Sequence, residues 1–305
     1  MRRFLIASCL LGAAGVAVFW LLTMPRTIAA GDLPDYDGDP AKGRHVFYAS
    51  GCASCHAAPG AKGDDKLKLS GGLGLESPFG IFYASNISPD PTHGIGGWTA
   101  AEFVNAMMRG VSPEGRHYYP AFPYLSYQSM TVEDVLDLKA FMDTLPAVAG
   151  EAPPHDLPLP LRLRRGLGLW KALYMDYAPF APDPTASAQI NRGAYLVSGP
   201  GHCGECHTPR DLLGGPDADR AYAGSPAPKA KDSVPNITSH KDGIGDWSIR
   251  QITTALKLGL LPNFDSFGGT MIPVQENMAK LPEEDLLAIA VYLKSLPPKP
   301  SRRKK

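Results

Sequence analysis

Two pentapeptides decide how this chain is interpreted: Cys52-Ala53-Ser54-Cys55-His56 and Cys203-Gly204-Glu205-Cys206-His207. The pattern C-x-x-C-H is the attachment sequence of a c-type haem. In such a site both cysteine sulfurs bond the porphyrin, and the adjacent histidine lies under the iron as its proximal ligand. We therefore predict two covalently bound haem c groups. Their predicted thioether residues are Cys52, Cys55, Cys203 and Cys206, and their predicted proximal iron ligands are His56 and His207.

The spacing of the cysteines argues against their other common uses. Two C-x-x-C pairs that share a structural zinc ion normally lie about 15–20 residues apart, whereas these pairs lie 151 residues apart. A thioredoxin-like redox site has one pair in a βαβ setting, and a disulfide framework belongs to small, cysteine-dense chains. The remaining cysteine, Cys9, lies in an apolar stretch, and we interpret it as an inert helix residue.

The N-terminus has the composition of a membrane-spanning helix. Met1-Arg2-Arg3 is followed by 21 uncharged residues from Phe4 to Met24, and a helix of that length spans about 31 Å, as a bilayer core requires. Cleavable signals have shorter apolar regions, so we predict an uncleaved anchor, with cleavage after Ile28-Ala29-Ala30 as the alternative. The positive-inside rule then predicts a cytoplasmic N-terminus and haem domains on the periplasmic side of a bacterial inner membrane.

The charge balance bears on partners. Lys and Arg together number 30, as do Asp and Glu, so the formal net charge is zero. A nucleic-acid-binding surface normally shows as a basic excess. We therefore expect no nucleic acid as a partner.

The two pentapeptides head two copies of one pattern about 150 residues long. Asn86-Ile87-Ser88 and Gly94-Ile95-Gly96-Gly97-Trp98 follow the first; Asn236-Ile237-Thr238 and Gly243-Ile244-Gly245-Asp246-Trp247 follow the second. Each tryptophan leads into a helix with a predicted capping box, and each of these helices should end at a glycine 12 residues after the tryptophan. A further amphipathic helix closes each copy.

This order of elements predicts an all-α protein with two tandem class I cytochrome c domains after an N-terminal transmembrane helix. The predicted divisions are an anchor with its flank (1–30), domain 1 (31–146), a proline-rich linker (147–188) and domain 2 (189–305). The acidic residues 31–42 are expected to form a tether that lets the domains swing. The linker contains too many apolar residues to be free, so we expect it to pack across both domains.

A haem that only passes electrons normally has both axial positions filled, and methionine as sixth ligand raises its potential. In the second half, Met271 is followed by Ile272-Pro273 and lies ten residues before Leu281, which seats the last helix. We therefore predict Met271 as the sixth ligand of the second haem, and Met278 as a core or loop residue.

The first half offers a different set of candidates. Phe122 lies beside proline where a ligand methionine is expected, and phenylalanine cannot bind iron. Met130 is the only methionine of this loop, and we predict it as the sixth ligand of the first haem. His117 is the next candidate.

Several of these motifs together resemble a known group. They are Asn-Ile-Ser/Thr, Gly-Ile-Gly-x-Trp, Gly115-Arg116-His117-Tyr118-Tyr119-Pro120-Ala121-Phe122-Pro123-Tyr124 and Leu293-Lys294-Ser295-Leu296-Pro297. Over roughly residues 38–298 the chain resembles the membrane-anchored bacterial dihaem cytochromes c, which are related to cytochrome c subunits of periplasmic alcohol, gluconate and fructose dehydrogenases. Those subunits usually carry three haem domains, and many read Pro-Ala-Met-Pro where this chain has Pro120-Ala121-Phe122-Pro123.

The leading functional hypothesis is a non-enzymatic electron carrier in a respiratory or photosynthetic chain. A dehydrogenase or quinol-oxidising complex would reduce one haem, and a soluble cytochrome or oxidase would oxidise the other. The alternative is a haem enzyme subunit such as a dihaem peroxidase, which needs one iron with an open or weakly held sixth position.

Overall fold

The computed structural model describes residues 1–226 and 234–301, so residues 227–233 and 302–305 of the predicted second domain lie outside the described residues. The first half contains α1 (Arg2–Leu22), α2 (Pro40–Ala49), α3 (Cys52–His56), α4 (Ala100–Arg109), α5 (Tyr124–Tyr127) and α6 (Val132–Met142). The linker carries α7 (Leu159–Arg162) and α8 (Leu167–Tyr174). The second half contains α9 (Ala188–Ser198), α10 (Gly204–His207), α11 (Ile249–Leu258), α12 (Met271–Met278) and α13 (Glu283–Ser295). Short 3-10 turns occupy Ala30–Asp32, Gly63–Lys68, Arg164–Gly166 and Ala218–Arg220.

Helix α1 is the apolar N-terminal segment. It has a mean hydropathy of 2.3 in its most apolar window and none of that window is buried. By length and composition it is able to cross a membrane, as a signal sequence also would be.

The all-α prediction missed a small sheet. Strands β1 (Gly74–Ser77) and β2 (Gly80–Tyr83) form an antiparallel hairpin in which Ser77 pairs with Gly80. An isolated bridge joins Ile81 to Asp156 at the start of the linker. Four-residue strands are too short to show a clear alternation of apolar and polar residues, so the sequence carried little signal for this hairpin.

In each half a helix before the motif crosses the last helix at a glycine. A Cβ on Gly43 of α2 would lie 1.8 Å from the Asp137 carbonyl oxygen of α6. In the second half, a Cβ on Gly193 of α9 would lie 2.0 Å from the Ala288 carbonyl oxygen of α13. The missing side chain therefore allows backbone contact between the helices of each pair.

The middle helices begin and end where the sequence predicts. Thr99 and Ser248 form complete capping boxes at the starts of α4 and α11. Gly110 and Gly259 end these helices with φ values of 58° and 73°. That left-handed conformation suits glycine, which has no Cβ to clash.

The linker helix α8 contacts both halves of the chain. Its Lys171 Nζ donates to the carbonyl oxygens of Arg109 (2.6 Å) and Gly110 (2.7 Å) in the first half. Its Trp170 Nε1 donates to the Leu213 carbonyl oxygen in the second half at 2.9 Å. This is the packing that the apolar residues of the linker led us to expect.

The segment after α1 is packed against the first half, so the expected swinging tether is wrong. The Ile28 backbone N–H donates to Asn105 Oδ1 at 2.7 Å, and Asn105 Nδ2 donates to the Ile28 carbonyl oxygen at 2.9 Å. The Tyr36 hydroxyl and the Asp39 backbone N–H both donate to Asp137 Oδ1 of α6, at 2.8 and 2.6 Å. Acidic composition alone did not reveal that a buried carboxylate in α6 holds this segment.

Candidate haem sites and their surroundings

The two motif histidines are held in the same way. His56, at the end of α3, donates from Nδ1 to the Ser85 carbonyl oxygen at 2.7 Å. His207, at the end of α10, donates from Nδ1 to the Pro235 carbonyl oxygen at 2.7 Å. An imidazole that donates from Nδ1 presents its Nε2 lone pair to a metal. Among the described residues neither Nε2 atom has a hydrogen-bond partner, so each is available to bind an iron atom.

The surroundings of both rings favour the form that binds iron. Burial lowers the pKa of His56 and of His207, although the carbonyl partner of each ring opposes that shift. A neutral imidazole is the metal-binding form. Both motifs therefore hold a neutral, oriented histidine.

The Asn-Ile-Ser/Thr turns position the two carbonyl groups. Asn86 directly follows Ser85, and its Oδ1 accepts a hydrogen bond from the Ser88 backbone N–H at 2.9 Å. Asn236 directly follows Pro235, and its Oδ1 accepts from the Thr238 backbone N–H at 2.8 Å. The recurrence of these tripeptides was apparent from the sequence, but their role in orienting the histidines was missed. Their recurrence at nearly the same distance from each motif was the available signal.

Cys52 and Cys203 pack against the apolar clusters of their halves, and such surroundings favour an uncharged sulfur. Burial raises the pKa of Cys52 and of Cys203 to about 12, and it raises the pKa of Cys55 and of Cys206 as well. A thioether sulfur carries no charge, so it suits such an environment better than a thiolate does. The residues present therefore fit covalent haem attachment.

The predicted sixth ligands lie in different settings. Met271 is the half-buried first residue of α12, whereas Met130 is fully buried and directly precedes Thr131, the N-cap of α6. The described contacts join neither methionine to the motif histidine of its half, so both assignments stay predictions. His117 is buried, and its Nε2 lies 2.9 Å from the Thr23 carbonyl oxygen at the end of α1.

Each motif contacts the segment that precedes the last helix of the other half. In the first motif, Ser54 Oγ donates to the Pro273 carbonyl oxygen of α12 at 3.3 Å and accepts from Asn277 Nδ2 at 2.9 Å. In the second motif, Glu205 Oε1 accepts from Ser126 Oγ of α5 at 2.9 Å. We call these hydrogen bonds the reciprocal contacts. They bring the two motifs to one interface.

Two rings extend this interface. The Tyr127 and His202 rings have centroids 5.7 Å apart, and His202 Nε2 lies 3.3 Å from the Ser50 carbonyl oxygen. His202 directly precedes Cys203, and Ser50 lies two residues before Cys52. This contact therefore brings the starts of the two motifs together at the interface.

A helical fold with two C-x-x-C-H motifs, each with a neutral and oriented histidine, defines a c-type cytochrome. The cytochrome c family model matches residues 40–146. The chain is 48% identical over 298 residues to a "Diheme cytochrome c-type" protein of Cereibacter sphaeroides, covering 97% of this chain and 99% of that protein. The chain belongs to the dihaem c-type cytochromes, and it carries two covalently bound haem c groups.

Two other relatives are subunits of dehydrogenases. The fructose dehydrogenase cytochrome subunit of Gluconobacter japonicus is 37% identical over 261 residues, and the alcohol dehydrogenase (quinone) cytochrome c subunit of Gluconacetobacter polyoxogenes is 40% identical over 271 residues. Each match covers 85% of this chain but only 52% and 56% of the respective subunit. This kinship implies that the chain is an electron-transfer protein with redox partners.

Proposed function

We propose that the protein is an anchored electron carrier that moves electrons between its two haems. In this proposal residues 189–226 and 234–301 form the described part of a second class I domain, and Met271 supplies the sixth ligand of its haem. The observation that carries the proposal is the reciprocal contacts, which hold the two motifs against one interface. A carrier needs two redox centres at a short, fixed separation, and this arrangement supports that.

The bound haems supply reversible one-electron chemistry, and the chain sets the conditions for it. The backbone carbonyl partners of His56 and His207 fix the orientation of each imidazole and make it a better donor. A thioether from Met271 would raise the potential of the second haem, because a soft ligand favours the ferrous state. The apolar clusters against which Cys52 and Cys203 pack would shield one thioether of each haem from water.

The contacts at the end of α1 support an uncleaved anchor. Thr23 is fully buried; its carbonyl oxygen meets His117, and its Oγ1 accepts from Arg165 Nε at 2.8 Å. Arg165 Nη2 also donates to the Trp20 carbonyl oxygen at 2.7 Å, and its guanidinium lies 4.0 Å from the Trp20 ring centroid. Cleavage after Ala30 would leave these groups without partners. We place the haems on the periplasmic side of a bacterial inner membrane.

The relatives suggest the kind of partner. Several are cytochrome subunits of alcohol, fructose or gluconate dehydrogenases. We propose that a membrane-associated dehydrogenase or a quinol-oxidising complex reduces this protein, and that a soluble cytochrome or an oxidase receives the electrons. The chain itself is then a carrier and not an enzyme.

The test is the rate of electron transfer between the haems after rapid reduction by a photochemical donor. The double variant Ser54→Ala with Ser126→Ala removes hydrogen bonds from both sides of the interface, so we expect a slower rate with both haems still attached. Ser295→Ala is the matched control, because among the described residues the Ser295 hydroxyl donates only to the Tyr292 carbonyl oxygen within α13. An unchanged rate in the double variant would contradict the proposed path. Rapid turnover of hydrogen peroxide by the purified protein would instead favour the enzyme alternative.

A further inference from the structure

The loops after the two middle helices have the same backbone fold. In the first half, the Ser112 N–H donates to the Arg116 carbonyl oxygen and the Tyr118 N–H donates to that of Gly110. In the second half the same two bonds recur 149 residues later. There the Leu261 N–H donates to the Asp265 carbonyl oxygen, and the Phe267 N–H donates to that of Gly259. The backbone hydrogen bonds therefore match each residue of one loop to the residue 149 positions later in the other, independently of side-chain identity.

The same offset places Phe122 opposite Met271. The Phe122 N–H donates to the Tyr119 carbonyl oxygen at 3.0 Å, and the Met271 N–H donates to that of Gly268 at 3.2 Å. Both residues thus end the same turn, 149 positions apart. The predicted ligand of the second haem has phenylalanine as its counterpart in the first half.

Met130 corresponds to a different residue of the second half. The Met130 N–H donates to the Tyr127 carbonyl oxygen, and the Leu281 N–H donates to that of Met278, which is an offset of 151. Met130 is 0% exposed and Leu281 is 2% exposed. Each directly precedes the N-cap of the last helix of its half. Met130 therefore takes the place of a core leucine.

The surroundings of Phe122 are aromatic. Its ring centroid lies 5.8 Å from that of Tyr118, 6.4 Å from that of Tyr124 and 5.7 Å from that of Tyr127. Tyr127 is part of the buried cluster of the first half, and Phe122 and Cys52 both pack against that cluster. This places Phe122 one ring away from the first haem attachment site.

None of these neighbours is a good iron ligand. Burial raises the pKa of Tyr118 to about 12 and raises the pKa values of Tyr124 and Tyr127 further, so all three phenols stay neutral near pH 7. Iron binds tyrosine as the phenolate. His117 is fixed to the end of α1 through its Nε2 atom, and no contact among the described residues joins its unpartnered Nδ1 atom to the first motif.

We propose that the first haem receives no sixth ligand from the protein and that Phe122 covers a distal site for a small neutral diatomic molecule. The aromatic, uncharged walls disfavour an anion, because a buried charge without a partner is costly. Carbon monoxide is the probe of choice, since it is neutral and binds ferrous haem. The inference rests on the proposed ligation of the second haem by Met271.

The experiment is a carbon monoxide titration of the reduced, detergent-solubilised protein, followed by its absorption spectrum. We expect one molecule bound per chain in the wild type. Phe122→Met should bind none and should gain a second near-infrared sulfur-to-iron band in its oxidised form, because it restores the residue found at 271. Met271→Phe should bind two. Protein-bound haem counted by mass after denaturation verifies that each variant carries both groups.

Met130→Leu separates this inference from the prediction that Met130 is the ligand. Leucine fills the same core position as its counterpart Leu281, so we expect a spectrum and a carbon monoxide stoichiometry like those of the wild type. A new high-spin haem in Met130→Leu, or no carbon monoxide binding in the wild type, would overturn the inference. An unchanged spectrum in Met271→Phe would instead contradict the proposed ligation of the second haem.

Discussion

At the scale of single residues, a buried lysine joins the linker to the first half. Lys171 is 1% exposed, and its Nζ lies 4.6 Å from the Tyr124 ring centroid. The same Nζ donates to the two carbonyl oxygens at the end of α4. Burial lowers the pKa of this amine to about 7. The unfolded chain binds a proton at this side chain up to about pH 10.4, whereas the folded chain releases it near neutrality.

The first prediction concerns Lys171→Met. The variant keeps the apolar length but leaves the Arg109 carbonyl oxygen without its donor and removes one of the two donors to the Gly110 carbonyl oxygen. We therefore expect a loss of about 1–3 kcal/mol in the free energy of unfolding. Because the unfolded state binds more protons between about pH 7 and pH 10, the Lys171 term makes the wild type more stable as pH rises through that window. The variant should lose that slope.

Denaturant unfolding at several pH values within this window measures both effects. Lys280→Met is the control, because Lys280 is an exposed residue at the end of α12. Equal pH slopes in the wild type and in Lys171→Met would show that the amine titrates as it does in the unfolded chain.

Residue-scale prediction is possible where the chemistry is local to the motif. The C-x-x-C-H pattern is contiguous, so the candidate thioether residues and the proximal histidines could be chosen from sequence alone. The carbonyl partner of His56 comes from Ser85, and any residue type could supply that backbone atom. The buried position of Lys171 was equally hidden, because lysine is almost never fully buried.

At the scale of helices, the close crossings at glycine are the tightest constraint. The second prediction is that Gly193→Ala destabilises the protein by about 1–3 kcal/mol, because its new methyl group would overlap the Ala288 carbonyl oxygen and force α9 away from α13. Thermal unfolding of the haem-loaded protein measures the change. Gly31→Ala is the control, since no atom lies within 4 Å of its added Cβ. A wild-type melting temperature in Gly193→Ala would show that the two helices separate at little cost.

Helix ends were predictable because their signals are local. The capping boxes begin at Thr99 and Ser248, and the end glycines are Gly110 and Gly259. Each of these residues lies directly next to the helix whose end it sets. Helix α12 was harder to predict from the sequence. Its first residue, Met271, was interpreted as an iron ligand in a loop, and the helix contains a proline at its third position. Proline is tolerated in the first turn of a helix, where its missing N–H would have no partner.

At the scale of the whole molecule, the junction between α1 and the first half sets how the haems are held at a membrane. The third prediction is that the protein stays with membranes through a high-salt wash and is released by detergent, because apolar length and not charge anchors it. Recovery of the intact chain from the soluble fraction would contradict this.

Two truncated variants with a cleavable signal supplied test the junction itself. A chain that starts at Leu22 retains Thr23, whereas one that starts at Pro25 lacks it and leaves His117 and Arg165 without their partner. We expect the longer chain to be more stable by about 1–3 kcal/mol. Both should be soluble dihaem proteins.

The relation between the two halves could not be predicted from the sequence. Apolar residues of the linker indicated that it packs on something, but the reciprocal contacts use Ser54, Ser126 and Asn277, which are ordinary surface residue types. Their role depends on how two domains are oriented, and no local pattern encodes an orientation.

The interface between the motifs also constrains biogenesis. Cys52 and Cys203 are half-buried, and side chains of the opposite half form hydrogen bonds with Ser54 and Glu205, the spacer residues of the two motifs. Closure of the two halves therefore narrows the access to both pentapeptides. We expect covalent attachment to be faster before the halves close than after. The joint that brings the two redox centres together thus favours an order of synthesis with cofactor insertion first and docking last.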